Sequence, residues 1–289
     1  MECCSPNQWY QTTDTFLWNS HQIVYKEENV GQDYLLLVHG FPTASYDWWK
    51  LWQPLSRHFS LIAPDMLGFG YSDKPQNFPY SIMTQADLIL DLLKSKGIHR
   101  FHIIAHDYGD TVVQEILART QEDATFEAPS VCLLNGGIFP ESHHPLPIQK
   151  LLMSPVGFVL SRLLNKQKFV KSFSKIFGAH SQLKDKELDD YWMLVSRKNG
   201  HRIAHKIIRY MKERVEHRER WVGALRTFQN PLALINGPED PISGQVMVDR
   251  YKEIISDKNI WLLEGIGHYP QVEAPQQLLN YYLKFVEKQ

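Results

Sequence analysis

Cysteine is scarce in this 289-residue chain and badly placed for cross-linking. There are three, Cys3, Cys4 and Cys132, too few for a disulfide framework, and an adjacent pair makes a poor staple, so a reducing compartment is expected. Excess charge of either sign is also missing, with 31 Lys and Arg against 32 Asp and Glu. The overall field therefore gives no steering toward nucleic acid or an anionic membrane, and polyanion binding would need a local patch. No run of about eighteen apolar residues is present, as a membrane-spanning helix would need. The start, Met1-Glu2-Cys3-Cys4-Ser5-Pro6, lacks the basic and apolar regions of a secretory signal, and the expected location is cytoplasmic. Internal repeats and low-complexity runs are absent too, which sets aside solenoids and linkers.

What remains is ordinary globular composition, 43% hydrophobic with 16 Gly and 16 Pro dispersed along the chain, long enough for one large α/β domain. Short strand-like runs alternate with helical patterns over 1–135 and 231–289, while 136–230 reads as helices only. This is an α/β core interrupted by a helical insertion. Eight strands are expected, at 15–18, 22–26, 34–38, 60–63, 101–105, 131–134, 232–235 and 260–263. The first two form an antiparallel hairpin around Asn19-Ser20, and the later continuous apolar runs suit a buried parallel sheet. Helices are expected at 84–96, ended by Gly97, and at 276–287, following Pro275.

The sharpest local signal is Ile103-Ile104-Ala105-His106-Asp107-Tyr108-Gly109-Asp110, an apolar strand running into small-x-Asp-x-Gly and then a helical pattern. This is the form of a nucleophile elbow, in which a strained turn lifts its central side chain above the sheet and small residues two positions either side let strand and helix approach. Taken alone, Asp107 reads equally as a helix N-cap. Asp110 is expected in the first helical turn, where its negative charge favours the dipole. An earlier strand ends in His39-Gly40-Phe41-Pro42, where a loop supplies one backbone N–H to an oxyanion hole, although a plain Gly-Pro turn has the same appearance.

Two later strands run into chemistry-bearing loops. One reaches Gly237-Pro238-Glu239-Asp240-Pro241 and the other Glu264-Gly265-Ile266-Gly267-His268. The chain order is then nucleophile Asp107, acid Asp240 and base His268, with Glu239 a lesser substitute for the acid. A solitary late histidine would read as a surface residue. Three strand ends presenting the right groups in the right order reverse that reading.

The stretches His-Gly-Phe-Pro-Thr at 39–43, His-Asp-Tyr-Gly-Asp at 106–110, Asn-Gly-Gly-Ile-Phe-Pro-Glu at 135–141 and Arg-Trp-Val-Gly-Ala-Leu at 220–225 resemble the α/β-hydrolase superfamily. Within it they fit the Asp-nucleophile branch that includes epoxide hydrolases and haloalkane dehalogenases. Asp65 and the glycine-bearing 68–75 segment are similar to the loop such proteins carry there. The resemblance implies an eight-stranded, mostly parallel sheet with helices on both faces and an inserted helical cap over 136–230. It also implies a cofactor-independent enzyme. Asp107 would attack saturated carbon to give an alkyl ester, and water activated by His268, with Asp240 holding the ring, would hydrolyse it. The backbone N–H groups of Phe41 and Tyr108 would form the oxyanion hole.

Dehalogenase relatives hold their halide with an Asn in the first loop and a Trp after the nucleophile. Phe41 and Tyr108 occupy those places, which disfavours haloalkanes, and the arginine-bearing elbow of haloacetate enzymes is absent. Epoxide hydrolases use cap tyrosines as acids, which nominates Tyr210 and then Tyr191, with Tyr108 on the pocket floor. His39, Tyr191, Trp192 and Phe139 are the expected substrate contacts. The expected partners are a small apolar substrate and water, without nucleic acid, in a monomer or homodimer.

Other readings compete. His201 and His205 lie four apart, but lack the glutamate of a zinc protease, and no metal or other cofactor is expected. The basic stretch 197–220 is interspersed with glutamates and reads as a solvated face. The apolar stretch 151–164 would roof the cavity, with a membrane-touching lid as its alternative. A relative that binds a ligand without turnover, or an esterase, also fits the fold.

Overall fold

A computed structural model describes residues 4–288 of the protein, so Cys3 lies outside the described residues. Eight strands, β1 (Asp14–Trp18), β2 (His21–Glu28), β3 (Tyr34–Val38), β4 (Ser60–Pro64), β5 (Phe101–His106), β6 (Val131–Leu134), β7 (Leu232–Asn236) and β8 (Ile260–Leu262), form one sheet in the order β1-β2-β4-β3-β5-β6-β7-β8. The antiparallel strands β1 and β2 are joined by Asn19 and Ser20, both at positive φ, the geometry of a tight two-residue hairpin. Strand β2 also pairs antiparallel with β4. The remaining strands, β5, β6, β7 and β8, pair in parallel with their neighbours and with β3.

Strand residues alternate between two apolar layers, as the pleat requires. Leu36, Val38, Ile103 and Ala105 face one core, and Leu35, Leu37 and Ile104 the other. A short helix α1 (Pro6–Tyr10) precedes the sheet, and α2 (Trp49–Ser56) covers the second face. The first face takes α3 (Ile82–Ser95) and α4 (Tyr108–Glu122). Helix α3 begins two residues before the apolar pattern does because the Ser81 side chain accepts a hydrogen bond from the Thr84 N–H and caps it. Gly97, at φ 70°, lets the chain turn away at its end.

Between β6 and β7 the chain forms the helices α5 (Pro147–Met153), α6 (Gly157–Arg162), α7 (Lys166–Phe173), α8 (Asp185–Ser196), α9 (Ala204–Ile207), α10 (Tyr210–Glu216) and α11 (Arg218–Thr227). The last of these lies on the sheet layer. Trp221 Nε1 donates to Glu115 Oε2 of α4 at 2.8 Å, and Arg220 pairs with the same carboxylate. The expected roof of apolar residues divides by face: Leu152 and Leu164 point into a cavity, while Leu151, Val156, Phe158, Val159 and Leu163 are exposed. Helices α12 (Gln245–Ile254), α13 (Pro270–Glu273) and α14 (Pro275–Val286) complete the fold, α12 on the first face and α14 on the second. No helix among the described residues is long and apolar enough to cross a membrane.

The approach of α4 to β3 positions the site, and Gly109 permits it. A Cβ there would lie 2.6 Å from the Val38 carbonyl oxygen and 2.8 Å from that of His39, both fixed backbone atoms. Gly109→Ala is therefore expected to destabilise the fold by about 1–3 kcal/mol, read as a lowered urea midpoint at unchanged m value. Wild-type stability in that variant would show that strand and helix are not pressed together here.

Candidate active site

Asp107 stands at the junction of β5 and α4 with φ 49° and ψ −106°, a conformation L residues rarely adopt. Its carboxylate Oδ2 accepts the Phe41 N–H at 3.1 Å. His268 Nε2 lies 3.9 Å from the same oxygen, and on its other side His268 Nδ1 meets Asp240 Oδ2 at 2.7 Å. Three strand ends thus converge. Asp240 is held by the Ile242 N–H, by Ser243 Oγ and by Asn135 Nδ2. Asn135, in the loop after β6, thereby fixes the carboxylate that comes from the loop after β7. The backbone N–H of His268 donates to the Ile176 carbonyl at 2.7 Å, which ties the ring to the helical insertion.

The electrostatics are those of a buried site. Burial alone would raise Asp107, but His268, through a hydrogen bond and its charge, and then Arg214 hold it well below the usual carboxylate range. Asp240 is lowered in the same way, His268 overcoming its burial. Burial alone would lower His268, but Asp240 and Asp107 outweigh it and raise the ring to about 10. In the resting protein this ring carries a proton.

Arg214 is a site residue that the sequence reading missed. It lies within the basic stretch read as solvated, yet it is 2% exposed. Its Nε donates to Thr111 Oγ1 at 2.8 Å, one terminal nitrogen donates to the Asp107 carbonyl at 3.4 Å and lies 3.8 Å from Asp107 Oδ1, and the other approaches His143 Nδ1 at 3.4 Å. A lone arginine among exposed cations has no local signature. The one available hint was that Tyr210 and Arg214 are four apart, on one helical face. The elbow itself carries no arginine, but the fold delivers one to it from α10. His143 is pushed down to about 3 by burial and by Arg214, so it is neutral.

Tyr210 opens α10 and is buried. Burial, then the Asp107 charge, raises the pKa of its hydroxyl far above the ordinary value. The Arg214 guanidinium lies 4.5 Å from its ring centroid. A cavity of about 90 Å³ opens beside Asp107 and His268, lined by apolar side chains such as Pro42, Leu152, Phe169, Phe173 and Ile242, while Tyr210, the expected acid, and Arg214 are not among its lining residues. Phe41 also lines it, and its titratable lining residues are Asp107 and His268.

Several expected contacts lie elsewhere. His39 is fully buried with both ring nitrogens turned to backbone, accepting from the Met66 N–H and facing the Gly40 carbonyl. It props the Phe41 loop from below and does not line the cavity. Phe139 is fully buried in the core. Tyr191 packs among Tyr46, Phe173 and Tyr269, and Trp192 against Phe169 and His201, so both stand behind the cavity wall. Tyr108 is not the pocket floor. Its ring packs edge-on to Tyr210, and its contribution to the site is the backbone that begins α4. Asp110 is in the first helical turn, as expected for a charge that favours the dipole, but burial and then the neighbouring Asp107 charge raise its pKa well above the usual value, so its environment disfavours that charge. Asp65 serves structure: it accepts from the Tyr10 hydroxyl and the Ser45 and Tyr71 N–H groups.

A family model described as the alpha/beta hydrolase fold matches residues 33–275. The mesoderm-specific transcript protein of Mus musculus is 37% identical over 296 residues, covering 97% of this chain and 87% of that protein. A putative hydrolase, LipZ, from Mycobacterium tuberculosis is 35% identical over 243 residues, 84% of each chain. Among solved structures, the haloalkane dehalogenase DbeA from Bradyrhizobium elkani matches with TM-score 0.80 and 18% identity over 96% of this chain and 99% of that one. The epoxide hydrolase CorEH matches with TM-score 0.77 and 19% identity over the same shares. At such identities the structural likeness speaks to fold alone.

Two outcomes follow from the buried charges. Arg214→Met leaves Asp107 short of a counter-charge and is expected to cost about 3 kcal/mol in urea denaturation; a loss within experimental error would mean that Arg214 does not offset the Asp107 charge. The ordinary value of His268 is 6.5, and the fold raises it to about 10. Its proton therefore stabilises fully below pH 6.5, and that contribution fades as pH climbs toward about 10. The stability advantage of wild type over His268→Gln should shrink across that window, and an advantage that grows instead would contradict a protonated resting ring.

Proposed function

The chain belongs to the α/β-hydrolase fold family, and within it we propose a cofactor-independent hydrolase in which Asp107 forms a transient alkyl ester with a small apolar electrophile, an epoxide above all. The observation that carries this reading is the Asp107 carboxylate, lifted by a strained elbow into an apolar cavity between the Phe41 N–H and the His268 ring. A carboxylate needs no deprotonation before it attacks carbon, whereas it is a poor replacement for serine in ester cleavage.

In the first step an Asp107 oxygen bonds to an epoxide carbon, that carbon's bond to the ring oxygen breaks, and the alkoxide takes a proton from the Tyr210 hydroxyl. Tyr210, as a phenolate beside Arg214, regains its proton at the expense of His268. The proton count then explains why a ring held protonated at rest can later serve as a base. Esterification removes the Asp107 charge that supports the imidazolium and leaves Arg214 without that counter-ion, so the ring is neutral when water must be activated. In the second step His268 takes a proton from water, the hydroxide oxygen bonds to the Asp107 carbonyl carbon, and the tetrahedral oxyanion is met by the Phe41 and Tyr108 N–H groups. On collapse the bond from the Asp107 carbonyl carbon to the alkyl oxygen breaks, the leaving alkoxide takes the proton of the hydroxyl that water added, and the diol departs with the Asp107 carboxylate restored and His268 protonated. Asp240 holds the ring orientation throughout, and the insertion acts as a cap that keeps bulk water from the ester.

Removing the base should trap the intermediate. In His268→Gln incubated with a panel of epoxides, mass spectrometry is expected to find the epoxide mass added at Asp107, and Asp107→Ala should show none. Turnover of esters with no electrophile ever labelling Asp107 would overturn the reading. Tyr210→Phe should slow alkylation by epoxides by about 10²–10³-fold while leaving hydrolysis of a preformed ester much less affected. Equal slowing of both steps would remove Tyr210 from the role of acid.

A further inference from the structure

The near-zero net charge of the chain conceals a separation. Residues 142–212 hold fourteen Lys and Arg but four Asp and Glu, a net of +10, so the rest of the chain carries −11. From 142 to 184 there is no acidic residue at all, and seven cations. This segment includes α5, α6 and α7, which makes the outer face of the insertion strongly positive whatever the total.

The same face bears the largest run of exposed apolar side chains among the described residues. Helix α6 turns Gly157 and Ser161 inward, where the Ser161 hydroxyl hydrogen-bonds with His205 at 3.0 Å, and so Phe158 and Val159 point out, 50% and 52% exposed. Helix α5 turns Gln149 and Leu152 inward and leaves Leu151 out. Val156 in the bend between the helices and Leu163 just after α6 add to the patch, 54% and 56% exposed. Lys150, Arg162, Lys168, Lys171 and Lys175 are exposed on the surrounding helices and turns. Arg162 stacks over Phe158 at 3.6 Å. Among the seven cations of 142–184, Lys166 is the one with a carboxylate partner among the described residues, Asp189 at 2.6 Å.

We propose that this face, the exposed side of α5 and α6 with its rim of lysines, docks the protein on the surface of an anionic lipid bilayer. Apolar side chains at the centre and cations at the edge match the layered chemistry of a membrane interface, acyl chains within and phosphate above. Nucleic acid fits poorly, because the centre of the patch offers a phosphate backbone nothing to bind. A second copy of the chain fits poorly as well, because each face would bring its own excess of positive charge to the other.

The cavity lies directly beneath. Leu151 is exposed and Leu152 lines the cavity, and likewise Leu163 is exposed while Leu164 lines it. Adjacent residues thus face opposite sides of one helical layer, and a docked molecule would hold its cavity one layer from the acyl region. The docking surface does not rest on the chemistry assigned to Asp107, and its test requires no turnover.

Full-length protein is mixed with phosphatidylcholine vesicles, with or without phosphatidylserine, and sedimented. The protein should pellet with the anionic vesicles at least about tenfold more readily than with the neutral ones, and added salt should weaken the binding. Two double variants confined to exposed positions separate the components: Phe158→Ser with Val159→Ser, and Lys171→Glu with Lys175→Glu. Each, at an unchanged melting temperature, should reduce binding about tenfold or more. Wild-type protein remaining in the supernatant, or either double variant pelleting as wild type does, would overturn the proposal. So would sedimentation velocity showing a wild-type dimer that Phe158→Ser with Val159→Ser converts to monomer, since the face would then be a contact between copies.

Discussion

Two negative charges in an apolar interior are the constraint that the rest of this structure answers. Asp107 and Asp240 are buried where an unpaired carboxylate would take up a proton, and both remain ionised because His268 and Arg214 lie beside them. Asp110, next to the same cluster, has its pKa raised well above the usual value by burial and then by the Asp107 charge. The balance is two anions against two cations. It is tight enough that changing the charge on any member alters the proton affinity of its neighbours, which is what a site needs if one histidine is to be an acid at one moment and a base at the next.

Assembling that balance takes four distant parts of the chain. Asp107 comes from the end of β5, Asp240 and His268 from the loops after β7 and β8, and Arg214 from α10 of the insertion. A parallel sheet brings the first three together because all of its strands end on the same side. The insertion brings the fourth, and it also supplies Tyr210 and the Ile176 carbonyl that anchors His268. Its inner face therefore completes the buried cluster, while its outer face is apolar and basic.

Backbone close approach sets the precision. Gly109 lets α4 begin against the carbonyls of β3, and Gly40 passes beside His106 with no room for a side chain. The strained Asp107 backbone is held between these contacts. His39, buried under the Phe41 loop with its ring committed to backbone, belongs to this scaffold and not to the cavity.

The strand pattern, the elbow, the order of Asp107, Asp240 and His268 and the helical insertion were all legible in the linear chain. Each rests on residues close in sequence: apolar runs of strand length, small residues two positions from an aspartate, an acid or a histidine in the loop after a strand. What tertiary structure alone decided is which side chains share a space. Arg214 among exposed cations and Asp110 beside a helix start had no local mark of burial, and Phe139, Tyr191 and Trp192 had none that told a cavity wall from the layer behind it. Periodicity reports which face of an element is apolar, but the charge state and company of a buried polar group depend on contacts between elements a hundred residues apart, and those exist only once the chain has folded.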